Sequence, residues 1–243
     1  MLKKLYDKSK IWFAISWIIA YCLLMSLGDS LSVTIGIENL ISLPVGLSLS
    51  TVLYLFLKKN GLQKDYGLCA SRVPPQKMLF YIPLILMLTA NLWFGVTGNL
   101  EIAETLLYIL TMFCVGFLEE VIFRGLLFNA MRKDGFKTAV IVSSLTFGIG
   151  HIINLFNGSN AELIPSLLQV VYATAAGFMF VMLYCRTDSL RICILTHGLF
   201  NAISVFAVDA PTVQMQILSC LLLTVITGGY GVYIALTMKK TPG

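Results

Sequence analysis

The sequence predicts an all-α, polytopic membrane protein of about eight transmembrane helices, and three observations carry that prediction. Hydrophobic residues make up 58% of the 243 and charged residues only 12%, with a mean hydropathy of +0.86, well outside the range of a soluble domain. Eight apolar segments are long enough to cross a bilayer as helices: 11–27, 40–57, 78–94, 105–131, 138–156, 164–184, 190–207 and 213–238. Placing alternate loops on opposite sides of a membrane then gathers nearly every basic residue on one side.

Taken in order, the first segment follows Lys3, Lys4, Lys8 and Lys10. It exceeds a signal-peptide core in length, and the run from Met25 to Asp29 makes a poor small-residue cleavage site, so it is expected to remain as a helix. The loop after the second segment carries Lys58, Lys59, Lys64, Arg72 and Lys77, and the loop after the fourth carries Arg132, Lys133 and Lys137. Arg186 and Arg191 fall between segments six and seven, and Lys239 and Lys240 after the eighth. Of all the lysines and arginines only Arg124 lies elsewhere, inside the fourth segment, while the opposite loops hold the acids Asp29, Glu38, Glu101, Glu104, Glu162 and Asp209. The positive-inside rule then puts both termini in the cytoplasm, and an odd number of spans would spoil the pattern. Asn157-Gly158-Ser159, after the fifth segment, reads as a turn rather than a glycosylation acceptor. Gly228, Gly229 and Gly231 in the eighth either kink that helix or admit a close neighbour.

The six cysteines, Cys22, Cys69, Cys114, Cys185, Cys193 and Cys220, are scattered without CxxC spacing and read as packing residues. The formal charge of +5 does not mark a nucleic-acid binder, because the basic residues sit at span ends rather than in a stripe with aromatics.

The fourth segment contains the stretch GFLEEVIFRG, with Glu119, Glu120 and Arg124 in what otherwise reads as membrane interior. A charge near the bilayer centre costs at least about 3 kcal/mol, so such residues need partners and generally serve a function. The other intramembrane polar groups are His151 in FGIGH, Gln169 in LLQVVYA, and His197 and Asn201 in HGLFN; the two histidines are the only ones in the chain. Glu120 and Arg124 stand at i,i+4, where a carboxylate can neutralise a guanidinium. Glu119 lies about 100° around an ordinary helix from Glu120, free to point elsewhere. His197 and Asn201 also stand at i,i+4 and project together. Counted from Arg132 and Lys137, Glu119 and His151 both lie ~20 Å from the cytoplasmic boundary at the helical rise, and His197 lies ~9 Å past Arg191. One cavity open to the cytoplasm would connect them. Gln169 reads as an interhelical hydrogen-bonding residue.

These groups suit hydrolysis. In a partly apolar cavity a carboxylate can take a proton from water and later return it, an imidazole beside it can fix that water, and two further donors can stabilise the oxyanion formed on a peptide carbonyl. No serine or cysteine has a dyad partner by spacing, which argues against a covalent nucleophile. The structural alternative for each piece is an ion pair or interhelical hydrogen bond that only holds helices together. Against it stands the clustering of all these groups in the second half of the chain, where the first three segments carry almost none.

The pattern resembles the CAAX protease and bacteriocin-processing (Abi) family of intramembrane endopeptidases, related to the type II CAAX prenyl endopeptidases. The matching elements are EExxxR from Glu119 to Arg124, FxxxH from Phe147 to His151 and HxxxN from His197 to Asn201, with Gln169 and the Thr187-Asp188-Ser189-Leu190 turn also similar. The resemblance implies a single membrane domain over 1–243: variable N-terminal helices over 1–104, a catalytic core over 105–206 and a C-terminal helix over 207–243. It further implies a conical cavity facing the cytoplasm of a bacterial cell and a membrane-associated protein or peptide as substrate. Carried over by motif, Glu119 and His151 activate water, Glu120 and Arg124 hold the framework or assist, and His197 with Asn201 forms the oxyanion site. No cofactor is favoured; a divalent metal such as zinc is the alternative, with Glu119, His151 and His197 as its ligands, although the spacing is not HExxH. Two other functions compete: a non-catalytic bacteriocin-immunity or scaffold protein of the same fold, and a transporter relaying protons through Glu and His, which no paired inverted repeat supports.

Overall fold

The computed structural model describes residues 2–74, 77, 81–156 and 162–238. Among them the chain is helical without a strand. Its helices are α1 (Leu2–Lys8), α2 (Lys10–Ile35), α3 (Ser42–Lys59), α4 (Ile82–Leu92), α5 (Ile102–Met131), α6 (Phe136–Leu155), α7 (Leu163–Thr187), α8 (Arg191–Phe206) and α9 (Val213–Thr237). Each apolar segment of the sequence therefore contains a helix, except that 78–80 and the Asn157-Gly158-Ser159 turn lie outside the described residues.

Five of the helices, α2, α5, α6, α7 and α9, have the length and hydropathy to cross a membrane. α3 has the length, but its serines and closing lysines dilute its hydropathy. α4 and α8 are shorter apolar helices among the described residues. Their ends meet in an antiparallel bridge between Val96 and Ala207, Thr97 N–H donates to Phe206 O at 2.9 Å, and the Asn91 amide donates to Phe200 O at 2.5 Å. Just beyond the two helices, the segments thus satisfy part of each other's backbone.

Local chemistry sets the remaining ends. Ser9 caps α2, accepting from Trp12 N–H at 3.3 Å, and Gly36 closes it with φ 84°, a left-handed conformation that favours glycine. Thr212 caps α9 in the same way. α9 runs unbroken through its glycines, and a Cβ on Gly231 would stand 2.7 Å from the Phe178 ring, so this residue admits α7 rather than kinking the helix. All six cysteines are free thiols.

Outward faces of the long helices carry exposed Leu23, Leu27, Leu31, Ile141, Val171, Leu221 and Val225, as lipid contact requires. α2 turns the opposite stripe inward, Phe13, Ala14, Trp17, Tyr21, Met25, Gly28 and Ser32, against α3 and the middle of α5. On the lysine-rich side, residues 67–72 form a strap over the turn between α7 and α8. Leu190 N–H donates to Gly67 O at 2.8 Å, Ser189 Oγ–H to Cys69 O at 2.6 Å, and Arg72 N–H to Thr187 O at 3.0 Å. Arg72 also donates through Nε and Nη2 to Arg186 O and Cys185 O. Beside the strap, Tyr66 donates to Tyr6 at 2.9 Å, and burial followed by that bond pushes its phenol up. The strap fixes where α8 begins, and hence where His197 sits one and a half turns on.

Candidate active site

The charged cluster lies on a stretch that ordinary helical periodicity does not describe. Glu120–Phe128 is π-helical, and all nine of its residues are buried. The wider turn re-aims side chains relative to the α-helical turn before it, and such stretches concentrate at functional sites. Glu120 and Arg124 still meet, with Nη1 3.1 Å from Oε1 and both side chains at 0% exposure. The guanidinium lies 3.9 Å over the Phe147 ring and 5.5 Å from that of Phe180. Its nitrogens make no well-aligned hydrogen bond to the described residues, so charge and ring faces hold it. Gly177 leaves the room: a Cβ there would stand 3.2 Å from Nη2.

Glu119 does not point away from this pair. Both glutamates converge on one imidazole, with His197 Nδ1 2.8 Å from Glu120 Oε1 and Nε2 3.4 Å from Glu119 Oε2. With Nδ1–H donating to Glu120, the ring orientation is fixed and Nε2 faces Glu119. The ring is sandwiched further, stacked on Phe180 at 5.6 Å and edge-on to Phe147 at 5.6 Å.

Two glycines make this approach possible. A Cβ on Gly116 would come 2.7 Å from Gly198 N, and one on Gly198 would come 2.8 Å from Phe113 Cδ1. Gly116 lies one turn before the glutamates and Gly198 directly after His197, so the glycines of GFLEE and HGLFN let α5 and α8 cross almost backbone to backbone. The crossing delivers the imidazole to the carboxylates.

The remaining predicted residues are placed as follows. His151 is half-buried at the transition from the α-helical to the 3₁₀ part of α6, with Nδ1 3.0 Å from Phe147 O. No hydrogen bond or ion pair joins it to Glu119 among the described residues. Phe147 lies between the two imidazoles, with its ring 5.1 Å from that of His151. Asn201 is half-buried one turn beyond His197; its carbonyl accepts from Ser204 Oγ–H at 2.6 Å. Gln169 Oε1 accepts from Asn154 Nδ2 at 3.4 Å across α6 and α7. Among the described residues no three His, Cys, Asp or Glu side chains are grouped so as to hold a metal ion.

Sequence reasoning missed one contact to the cluster. Tyr21, on α2, donates from its hydroxyl to Glu119 Oε1 at 2.7 Å. The available signal was a phenol in a buried apolar stripe, since a buried Tyr hydroxyl usually has an acceptor. Beside it, a groove of about 470 Å³ opens between α2 and α6, lined by Ile18, Cys22, Phe123, Leu145 and Ile149 among others.

Comparison with known proteins bears on this same stretch. Residues 101–203 match the family model described as "Type II CAAX prenyl endopeptidase Rce1-like", so the resemblance carried by EExxxR, FxxxH and HxxxN is borne out there. The chain is also 31% identical over 110 residues to "Putative membrane peptidase YdiL" of Bacillus subtilis (strain 168). That match covers 42% of this chain and 40% of the relative, so the chain spans about two-fifths of that protein's length. No solved structure gives a significant match. The matched stretch contains every predicted site residue and excludes Tyr21.

Proposed function

We propose, from the Rce1-like signature of residues 101–203, that the chain is an intramembrane endopeptidase that hydrolyses a peptide bond of a membrane-associated protein or peptide. The observation that carries this reading is the convergence of Glu119, Glu120 and His197, anchored by Arg124, in the interior of a helical membrane protein. Its topology is taken as eight spans with both termini cytoplasmic in a bacterial cell membrane, the site opening to the cytoplasmic side.

In this mechanism Glu119 Oε2 takes a proton from water as the water oxygen bonds to the scissile carbonyl carbon. His151, whose Nδ1–H donates to Phe147 O, offers Nε2 to hold that water. The carbonyl oxygen becomes an oxyanion, which the Asn201 amide and a protonated His197 Nε2 stabilise. Glu119 then returns its proton to the amide nitrogen, the C–N bond breaks, and a carboxylic acid and an amine leave. Glu120 and Arg124 hold His197 and touch no reacting atom. No step is routed through a metal.

The test is a comparison of membrane-protein N-termini between cells carrying wild type and Glu119→Ala. Termini present only with the wild type are expected; identical profiles would instead favour the immunity or scaffold function. A second measurement addresses the metal: thoroughly chelated, detergent-solubilised enzyme is expected to keep its activity. Loss on stripping, together with rescue by zinc, would replace the carboxylate mechanism with a metal-activated water.

A further inference from the structure

The geometry points to Tyr21 as a positioning residue for Glu119, supplied by helices outside the matched stretch; this inference rests on the peptidase reading above. α2 faces α3 and the π-helical stretch with a stripe repeating at steps of three and four. Two hydroxyls stand in that stripe. Ser32 spends its own on Gly28 O of the same helix at 2.8 Å. Tyr21 alone spends its hydroxyl across the interface, on a carboxylate 98 residues away. Its residue is 8% exposed, and Trp17 and Met25, one turn to either side, are buried with it, so the ring has little freedom to leave.

The consequence falls on the two oxygens of Glu119. The terminal torsion of a glutamate is broad and roughly two-fold, so an unrestrained carboxylate would exchange Oε1 and Oε2. With Oε1 accepting from Tyr21, the plane of the carboxylate is fixed. Oε2 is buried, makes no hydrogen bond to the described residues, and is turned toward His197 Nε2 at 3.4 Å. Tyr21 thereby selects Oε2 as the oxygen that receives the proton and sets its angle to the reacting carbonyl. Phenylalanine would fill the same space and lose only this selection.

The experiment uses the full chain in detergent, labelled with ¹³C-glutamate, as wild type, Tyr21→Phe and Glu119→Gln. The carboxyl infrared band that disappears in Glu119→Gln belongs to Glu119, and it is expected to shift in Tyr21→Phe. Hydrolysis is then followed on a quenched fluorescent peptide with an apolar membrane-inserting half. Loss of positioning lowers kcat by about 10- to 100-fold, with KM within about two-fold of wild type and the melting temperature moved by no more than about 4 °C. A residue that merely stabilised the fold would move the melting temperature and spare kcat. An unmoved Glu119 band, or wild-type kcat in Tyr21→Phe, overturns the inference. Failure of the wild type to cleave this peptide counts against the peptidase reading, and the infrared band then decides by itself whether Tyr21 holds Glu119.

Discussion

The membrane interior on either side of residue 101 is built on opposite terms. α2 and α3 bury Phe13, Trp17, Met25, Leu53, Phe56 and Leu57, with no ionised group among them. α5 and α8 bury Glu120, Arg124 and His197, beside Phe147 of α6 and Phe180 of α7. Lipid tails are as apolar as leucine, so the first region gains little from hiding its side chains and is held by packing. The second has paired charges, where removing one partner strands the other. Stability is therefore concentrated in the few charged residues of the second region, where the proposed chemistry also lies, and the first serves as a wall that sends one hydroxyl inward.

The contrast can be broken by substitution, and the largest effect is expected at Glu120. Glu120→Ala strands Arg124 in a buried site and removes the acceptor of His197 Nδ1, a loss of about 3–5 kcal/mol. Denaturation of the purified protein should show it as a sharply lowered folded yield and melting temperature. At the crossing that joins α5 to α8, Gly116→Ala forces a methyl group onto the Gly198 backbone. Overpacking of this kind costs about 1–3 kcal/mol, and turnover should fall further than stability because His197 is pushed from the glutamates.

In the wall, Met25→Ala is expected to cost only about 1–2 kcal/mol, the cavity part of a core deletion without its transfer part. A loss equal to that of Glu120→Ala would show that the two regions are not held differently. The smallest effect belongs to the strap. Arg72→Ala removes an exposed ion pair with Asp188 at 2.7 Å and two bonds to the end of α7, about 1 kcal/mol in thermal denaturation. A much larger loss would make the strap a main support of α8.

The helices were legible because apolar length is a strong signal: α2, α5, α6, α7 and α9 lie where the hydropathy put them. α4 and α8 also end within two residues of the predicted bounds, but the pairing of Val96 with Ala207 just beyond them was not legible, because it is a contact between distant segments. The Glu120–Arg124 pair was legible from spacing, since i,i+4 neighbours meet on both an α- and a π-turn. Glu119 was set about 100° away from Glu120, and that spacing could not show that a single imidazole, reaching in from α8, would meet both carboxylates through its two nitrogens. The glycines at 116 and 198 are visible as letters, but their closeness exists only once the helices cross. Tyr21 gave the signal of a phenol in an apolar stripe, but its acceptor is set only when α2 packs against the middle of α5.

In the proposed mechanism the adjacent glutamates divide the work, Glu119 for chemistry and Glu120 for architecture. That division is tested most directly by purifying Glu119→Gln, which keeps the shape of the side chain and removes its capacity as a base. Turnover should disappear, while folded yield and melting temperature stay near those of the wild type. Full activity in folded Glu119→Gln would contradict the account.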